Sequence, residues 1–324
     1  MTLTHNDPLV SILITTYNSA KYVLETLESA KSQIYRNIEL IVSDDASTDN
    51  TVEICQIWID QNKERFMRSQ VITVDKNTGI GKNCNRALRS CNGEWVKFIA
   101  GDDILSGNCI ESFVQYCKDH PSVKVVESIS QYFYERCTKE CYLKTSDKRD
   151  HPFFNSNSTA YQQYQILLRR NLIHAPSVFL NREAIVNVGG FDETDKLFED
   201  HPLWLKLTKK GIKIYYLPVL TVFYRLHGNS IFASVSDDKI YNKFYLYRRQ
   251  ADIKYIYPSI SFIERIFYDY EYYRKKTIDA MGLNRNNIIC KMIYYGSYKM
   301  SPNNLLSTYI IKKIEHSILR AKSK

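Results

Sequence analysis

The chain has no long apolar run, and nothing in its 324 residues approaches the about 18 consecutive apolar residues of a membrane span. The first residues also lack the basic head and apolar stretch of a signal peptide, and the apolar segment 9–14 is too short for either role. We therefore expect a cytoplasmic protein without a transmembrane segment.

Cysteine is sparse and irregularly placed. The eight cysteines form no C-x-x-C pair, and none has a histidine partner at zinc-finger spacing. This pattern indicates reduced thiols rather than zinc ligands or a disulfide framework. A hydrophobic content of 44% is enough to bury a full core, which excludes a disordered or fibrous protein.

Acidic residues are scarce only in the last third of the chain. Residues 1–231 carry 27 basic and 27 acidic residues, whereas residues 232–324 carry 17 and 8, which accounts for the whole net charge of +9. The second part also holds 13 of the 25 tyrosines. Two compositions in one chain predict a globular body over 1–231 and a basic, tyrosine-rich helical region over 232–324.

Short β-branched runs alternate with helical patterns in the first hundred residues. The predicted strands are 9–15, 38–43, 70–74 and 95–100, and the predicted helices are 20–33, 49–64 and 81–91. This alternation is typical of an α/β sandwich with a mostly parallel sheet, in which ligands bind beyond the carboxyl ends of the strands. Further along, we expect the polar segment 144–159 to be a mobile surface loop.

The first two predicted strands end in residues suited to binding a base. Thr15 and Tyr17 follow one strand, and Asp44 and Asp45 follow the next. An aromatic ring can stack on a base, and a carboxylate can accept a hydrogen bond from a base N–H. Helix capping explains Ser47 or Asp49, but it does not explain two adjacent, mutually repelling carboxylates.

The fourth predicted strand ends in Gly101, Asp102 and Asp103. Two carboxylates beside a glycine that lets a ligand approach suit a hard divalent cation that also binds phosphate oxygens. The alternative is a solvated turn.

Two further motifs are weak in isolation. Glu199 and Asp200 open a predicted helix, where acidic residues also complement the helix dipole. Arg225 and His227 follow a strand that begins near Val219, and they offer a guanidinium and an imidazole for a diphosphate.

Together and in order, these elements resemble the family-2 glycosyltransferases with the GT-A nucleotide-sugar fold. The match runs from about Pro8 to His227. Its motifs are Thr-Thr-Tyr-Asn at 15–18, Asp-Asp-x-Ser-Thr-Asp at 44–49, Asn77-x-Gly79, Asp102-Asp103, Gly-Gly-Phe-Asp-Glu at 189–193, Glu199-Asp200 and Tyr-Arg-x-His at 224–227. One departure is that many relatives have a further aspartate where Ala100 stands.

The resemblance implies a Rossmann-like, mostly parallel central sheet sandwiched by helices, with a C-terminal helical appendage. Nucleotide-sugar binding is expected at about 8–105 and the acceptor and catalytic part at about 106–231. The implied activity is metal-dependent, inverting hexosyl transfer with Mn²⁺ or Mg²⁺. The donor would be a UDP-sugar such as UDP-Glc or UDP-Gal, and the acceptor a glycan or lipid-linked hydroxyl in surface polysaccharide biosynthesis.

The resemblance also assigns roles to residues. Thr15, Tyr17 and Asp45 would hold the nucleoside, with Asp45 at the uracil edge and with Asn77, Gly79 and Lys82 beside it. Asp103 would bind the metal, with Asp102 directed toward the ribose or sugar of the donor, and Arg225 or His227 would offset the charge of the departing diphosphate. Asp200 would be the general base, because inversion needs one carboxylate to deprotonate the acceptor, and Glu199 is the second choice.

Three other functions fit less well. A nicotinamide dehydrogenase needs a third glycine after Gly79 and Gly81, and a sugar nucleotidyltransferase needs a glycine-rich, basic loop where Thr15–Ala20 stands. A nucleic-acid-binding module could use the basic tail, but its tyrosines lie in a helical pattern with aliphatic residues. We expect no nucleic-acid partner.

The last predicted helix is amphipathic. Its apolar stripe is Leu306, Ile310, Ile314 and Ile318, and its basic residues are Lys312, Lys313, Arg320, Lys322 and Lys324. This pattern predicts peripheral contact with the cytoplasmic face of the inner membrane, where a lipid-linked acceptor would be presented. The alternative is that the stripe packs against the catalytic body or a second subunit, which leaves a homo-oligomer open.

Overall fold

The computed structural model of the protein describes residues 7–194, 198–228, 239–241 and 244–321. The strands are β1 Val10–Thr16, β2 Ile38–Asp44, β3 Arg68–Ile72, β4 Trp95–Ala100, β5 Ile104–Leu105, β6 Val125–Tyr134, β7 Tyr142–Thr145, β8 Val178–Asn181 and β9 Ile214–Leu226. The helices are α1 Val23–Lys31, α2 Thr51–Gln61, α3 Ile80–Ser90, α4 Cys109–Asp119, α5 Ala160–Leu167, α6 Arg182–Asn187, α7 Asp200–Lys209, α8 Phe244–Ala251, α9 Phe262–Ala280, α10 Ile288–Lys299 and α11 Pro302–Arg320.

The strands form one mixed sheet in the order β3-β2-β1-β4-β8-β6-β9-β5, with β7 paired to β6. Strands β3, β2, β1 and β4 are parallel, and so are β6 and β9, whereas β8, β5 and β7 run antiparallel to their neighbours. The mostly parallel α/β sheet predicted from the alternating pattern is confirmed. The carboxyl ends of β1, β2 and β4 therefore meet at one edge.

Burial explains why these segments form strands. Every residue of β2 is buried, and only Thr15 of β1 is not. Helices cover both faces of a parallel sheet, so its strands read as continuous β-branched and aliphatic runs. One hydrophobic core lies on each face of the sheet, around Ile12 and Val42 on one side and around Leu13 and Leu203 on the other.

Element boundaries shift by a few residues from those predicted. The third strand is 68–72 rather than 70–74, and the second helix is 51–61 rather than 49–64. The N-cap residue of this helix is Asn50, without a side-chain cap, so the predicted capping by Ser47 or Asp49 is wrong; Asp49 Oδ1 instead accepts from the backbone N–H of Thr51 at 3.1 Å in the turn before the helix.

The segment 144–159 is more anchored than the surface loop predicted from its polarity. It begins with the end of β7 and contains a short 3₁₀ turn at Pro152–Phe154. Phe153 is fully buried in the core, and its carbonyl accepts from Ser158 Oγ at 2.8 Å and from Gln163 Nε2 at 2.9 Å. One buried aromatic side chain thus fixes a segment that is otherwise polar.

The C-terminal region is helical, as predicted, and shares the core of the body. Ile256, Ile260, Tyr268 and Ile318 belong to the same hydrophobic cluster as Leu203. Polar contacts also join the two parts: Tyr268 donates to the carbonyl of Leu168 at 2.6 Å, and Arg169 pairs with Glu264 at 2.5 Å.

The apolar stripe of the final helix packs partly on the protein, and its contact with a membrane stays a prediction. Ile318 is buried and Ile314 packs on the core cluster that contains Phe153, whereas Leu306 and Ile310 are half-buried. Helix α11 contacts α5, α9 and the turn at Pro152–Phe154, because amphipathic helices bury their apolar face wherever a core is available. Lys322 and Lys324 lie outside the described residues. Within the described part of the chain, no helix is both long and apolar enough to cross a membrane.

Candidate active site

Two strand ends come together at the first motif. Thr16 and Asp44 are register partners on β1 and β2, and Thr16 Oγ1 donates to Asp44 Oδ1 at 2.8 Å. Asp44 also accepts from the backbone N–H and the hydroxyl of Ser47, at 2.8 and 2.5 Å. The first carboxylate of the pair is therefore structural, because it closes the turn after β2. Tyr17, at 49% exposed, lies at the same edge.

The second carboxylate, Asp45, holds a neighbouring loop. Its Oδ2 accepts from the backbone N–H groups of Thr78 and Gly79, at 3.0 and 2.7 Å, and its Oδ1 accepts from Thr78 Oγ1 at 2.5 Å and from Arg86 at 3.0 Å. Protein donors thus occupy about all the lone-pair positions of this buried carboxylate. Reading a base edge with Asp45 requires one of these donors to move.

The other residues predicted to lie beside the nucleoside, Asn77, Gly79 and Lys82, differ from one another in exposure. Asn77 and Lys82 are exposed on either side of the buried Gly79, at the start of α3. Sequence reasoning missed Arg86, which donates to Asp45, to Asn83 Oδ1 at 2.9 Å and to Ser43 Oγ at 3.1 Å. Asn83 and Arg86 are three residues apart on one helix face, which is the signal that could have found them.

The third strand end brings Asp102 beside His227. Asp102 Oδ2 lies 3.0 Å from His227 Nε2, and the Asp102 side chain is 28% exposed. Asp103 behaves differently: it is 1% exposed, its Oδ1 accepts from the backbone N–H of Arg225 at 2.8 Å, and its Oδ2 has no hydrogen-bond partner. Burial, and then the Asp102 charge, raises the pKa of Asp103 well above its usual range.

Gly101 at this strand end serves the protein rather than a ligand. A Cβ atom there would lie 2.7 Å from Cγ2 of Thr16 and 3.0 Å from Oγ of Ser19. Glycine therefore allows the turn after β4 to pack against the end of β1, and the expected ligand approach is not its role here.

Protein groups hold the guanidinium of Arg225, the residue that the resemblance assigns with His227 to the diphosphate. It is 1% exposed, and its Nε donates to the Asp102 carbonyl at 2.7 Å, while its other nitrogens reach the Glu135 carbonyl and Glu25. The guanidinium also stacks over Tyr22 at 4.5 Å. Side chains alternate along β9, so Tyr224 and Arg225 face opposite sides of the sheet. The sequence motif alone does not show which of the two sides is exposed to solvent.

A divalent cation fits this edge only if phosphate oxygens complete its coordination shell. Among the described residues, no group of three or more His, Cys, Asp or Glu side chains could enclose a metal ion. Cations at phosphate sites need fewer protein ligands, since one or two carboxylates suffice when phosphate oxygens complete the shell. Asp102 and His227 supply such a partial set, and the unpartnered Oδ2 of Asp103 is a further oxygen beside it.

A glycine turn at residues 189–190 packs against α3. Gly190 has φ +66°, and a Cβ atom there would lie 2.5 Å from Oδ1 of Asn85 on α3. The side-chain oxygen of Asn85 accepts from the Phe191 N–H at 2.9 Å, and the side-chain amide of Asn85 donates to the Phe191 carbonyl at 3.0 Å. This contact fixes the turn at residues 189–191 against α3.

Asp200 is a partly enclosed carboxylate. Its Oδ1 accepts from the His201 N–H at 2.6 Å, and its Oδ2 accepts from Asn171 at 3.3 Å. Burial raises the pKa of Asp200 above its ordinary value. Burial, and then the charges of Glu199, Asp200 and Asp45, raise the pKa of the Cys84 thiol on α3.

Comparison with known proteins identifies the family. A sequence model described as "Glycosyl transferase family 2" matches residues 11–186, which is more than half of the chain. The chain belongs to glycosyltransferase family 2. It is 31% identical, over 76% of its length and 85% of the relative's, to the Escherichia coli UDP-Glc:alpha-D-GlcNAc-diphosphoundecaprenol beta-1,3-glucosyltransferase WfaP. It is also 24% identical, over 71% of its length and 83% of the relative's, to the putative teichuronic acid biosynthesis glycosyltransferase TuaG of Bacillus subtilis.

Solved structures confirm the GT-A fold. The S. aureus TarS 1-349 structure in complex with UDP-GlcNAc matches with a TM-score of 0.57 at 21% identity, over 82% of this chain and 71% of that one. In another TarS 1-349 structure the match covers 67% of this chain and 60% of that one, with a TM-score of 0.53 at 22% identity. The mannosyltransferase PcManGT from Pyrobaculum calidifontis, in complex with GDP-Man and Mn²⁺, matches with a TM-score of 0.52 at 17% identity, over 97% of this chain and 87% of that one.

This family-2 glycosyltransferase also has an aromatic cluster that sequence reasoning missed. Tyr132 on β6 and Tyr224 on β9 are register partners with ring centroids 5.1 Å apart, and the His174 ring lies 5.1 and 4.8 Å from them. All three are partly exposed. Burial, and then the charge of Lys148, lowers the pKa of His174 to about 3, so the imidazole is neutral. The alternation of inward and outward side chains along β6 and β9 can be predicted from the sequence, but the parallel register that pairs the two strands cannot.

Proposed function

We propose that this glycosyltransferase moves a hexose from a UDP-sugar to a hydroxyl of a lipid-linked glycan, with inversion at the anomeric carbon. The observation that carries the mechanism is Asp200, a partly enclosed carboxylate at the start of α7 with a raised pKa. An inverting transfer needs one such group as general base, and a carboxylate whose pKa is raised is a stronger base.

Asp200 would take the proton of the attacking hydroxyl at an oxygen that Asn171 orients. Asn171 donates to Oδ2 at 3.3 Å, and the His201 N–H holds Oδ1 at 2.6 Å, so both oxygens have defined positions. Glu199 precedes the helix without capping it through its side chain, and it remains the second choice for the base.

Asp102 and His227 would hold the cation, with Asp103 behind them. When bound, a divalent cation would offset the negative charge that develops on the departing diphosphate. We propose Asp102 rather than Asp103 as the principal ligand, because Asp102 is the more exposed of the two carboxylates and Asp103 already anchors the Arg225 N–H. This exchanges the two roles that the sequence suggested.

The donor and acceptor classes rest on relatives. WfaP is named as using UDP-Glc and a diphosphoundecaprenol-linked acceptor, and TarS is solved with UDP-GlcNAc. The aromatic cluster of Tyr132, His174 and Tyr224 offers ring faces against which the apolar face of a sugar can pack. We assign this cluster to a sugar of the donor or acceptor.

A donor screen tests the proposal. The full chain would be incubated with UDP-Glc, UDP-Gal, their N-acetyl forms and GDP-Man, with a GlcNAc-diphosphate lipid as acceptor and with Mn²⁺ or EDTA. We expect acceptor-dependent release of UDP from one UDP-sugar, with loss of release in EDTA. Transfer from GDP-Man alone, or equal activity in EDTA, would contradict it.

A further inference from the structure

Helix α10 carries an apolar face that points away from the protein. Cys290, Tyr294 and Ser297 lie on its inner side, where Arg274 of α9 donates to Ser297 Oγ at 2.8 Å and stacks on Tyr294 at 4.9 Å. The outer side exposes Ile288 at 76% and Met292 at 72%. A soluble helix ordinarily has the opposite arrangement, with its aliphatic residues inward.

The outer face is larger than these two side chains. Five further large apolar residues on or beside α10 are at least 40% exposed: Ile289, Ile293, Tyr295, Tyr298 and Met300. Scattered exposed apolar residues are normal, but a contiguous helix face of this kind marks an interaction surface. We call the outer side of α10, from Ile288 to Met300, the α10 face.

The sequence around the α10 face is basic, and Glu271 of α9, which lines a cavity together with Tyr298, is paired with Arg274 at 2.7 Å. Between Asp279 and Glu315 the sequence contains no acidic residue, but it contains Arg285, Lys291 and Lys299 near the face. Both lysines are exposed. An apolar surface rimmed by exposed lysines complements the acyl chains and anionic headgroups of a lipid bilayer. The lysine side chains extend to the headgroups, while the aliphatic residues enter the boundary below them.

We propose that the α10 face binds the surface of an anionic lipid bilayer. The helix spans 12 residues and lies on the surface rather than crossing it. A second copy of the chain is a poorer occupant, since two α10 faces would bring like charges together. A single-stranded nucleic acid is also poorer, because the most exposed residues are aliphatic and cannot stack on bases.

The test uses the full chain and vesicle flotation. The vesicles contain phosphatidylcholine alone, or equal parts of phosphatidylcholine and phosphatidylglycerol, at low and at high sodium chloride. We expect binding to the anionic vesicles that weakens with salt. Ile288→Ser with Met292→Ser should weaken it by about tenfold or more, because two aliphatic side chains no longer leave water. Lys291→Gln with Lys299→Gln should weaken it by about tenfold on anionic vesicles only.

Matched controls separate a surface effect from unfolding. Ile57→Ser with Met67→Ser removes two apolar side chains that are 52% and 67% exposed outside the C-terminal helices, and Lys31→Gln with Lys210→Gln removes two exposed lysines there. Both controls should float like the wild type, and all variants should keep its circular dichroism and melting temperature. Failure of the intact chain to float would overturn the proposal. The proposal would also be overturned if the protein forms an oligomer, and if Ile288→Ser with Met292→Ser dissociates that oligomer but leaves vesicle binding unchanged. Neither readout needs glycosyl transfer, so the result is independent of the proposed reaction.

Discussion

The assignment of the cation to Asp102 rather than Asp103 can be tested by replacing each with asparagine. Asp102 is partly exposed and contacts His227, so Asp102→Asn removes a charge without opening the core. We expect Mn²⁺-dependent UDP binding to weaken by about 10- to 100-fold, because a contact to a charged group is worth about 1.5–3 kcal/mol. The free energy of unfolding should change by about 1 kcal/mol, because the change weakens one partly buried contact with His227.

Asp103→Asn should behave differently. The amide oxygen can still accept from the Arg225 N–H, and the neutral group removes a buried charge whose Oδ2 has no partner. We therefore expect stability to be kept or raised, with a smaller loss of Mn²⁺-dependent UDP binding than in Asp102→Asn. Calorimetric titration of UDP with Mn²⁺ or EDTA, beside thermal unfolding, gives both quantities. Loss of metal-dependent binding in Asp103→Asn, with Asp102→Asn near wild type, would refute the reasoning.

Three further predictions concern the base and the buried arginine. Asp200→Asn should lower kcat by about 100- to 10,000-fold with donor affinity nearly unchanged, whereas Glu199→Gln should lower kcat far less. If steady-state kinetics show the larger loss of kcat for Glu199→Gln, Glu199 is the base instead. Burial raises the pKa of Asp200, and the deprotonated carboxylate is the active form. As the pH is lowered, kcat/KM should therefore fall with an apparent pKa above 3.8, the ordinary value for aspartate. An apparent pKa at or below 3.8 in the pH profile of kcat/KM would contradict the assignment. Arg225→Met should destabilise the fold by about 2–5 kcal/mol in chemical denaturation, because it leaves the Asp102 and Glu135 carbonyls without their donor. A near-neutral change would show that the guanidinium is not a structural clamp.

The sequence predicted the sheet well where local pattern decides structure. Strands β1, β2 and β4 lie within a residue or so of their predicted bounds, because a β-branched run buried on both faces leaves little choice of period. The motifs at their ends were found for the same reason, since each directly follows a recognisable strand.

The surroundings that the sequence could not predict depend on contacts between distant segments. Asp45 was predicted to face a base, but residues 78 and 79 come from a loop more than thirty positions away and occupy its oxygens. Arg225 was predicted to face a diphosphate, but only the packing of β9 beside β6 and α1 decides that it points inward. The stripe of α11 is a real amphipathic pattern, and periodicity alone cannot say whether protein or lipid covers it.

The central claim, inverting transfer with one carboxylate base, is tested most directly by the anomeric configuration of the first product. UDP-hexoses carry the sugar in the α configuration, so ¹H NMR of the product formed from the accepted donor should show a β linkage from the earliest time point. The product of Asp200→Asn, formed slowly, should be the same. An α-linked product would require a second carboxylate as nucleophile or a different mechanism, and would contradict the account.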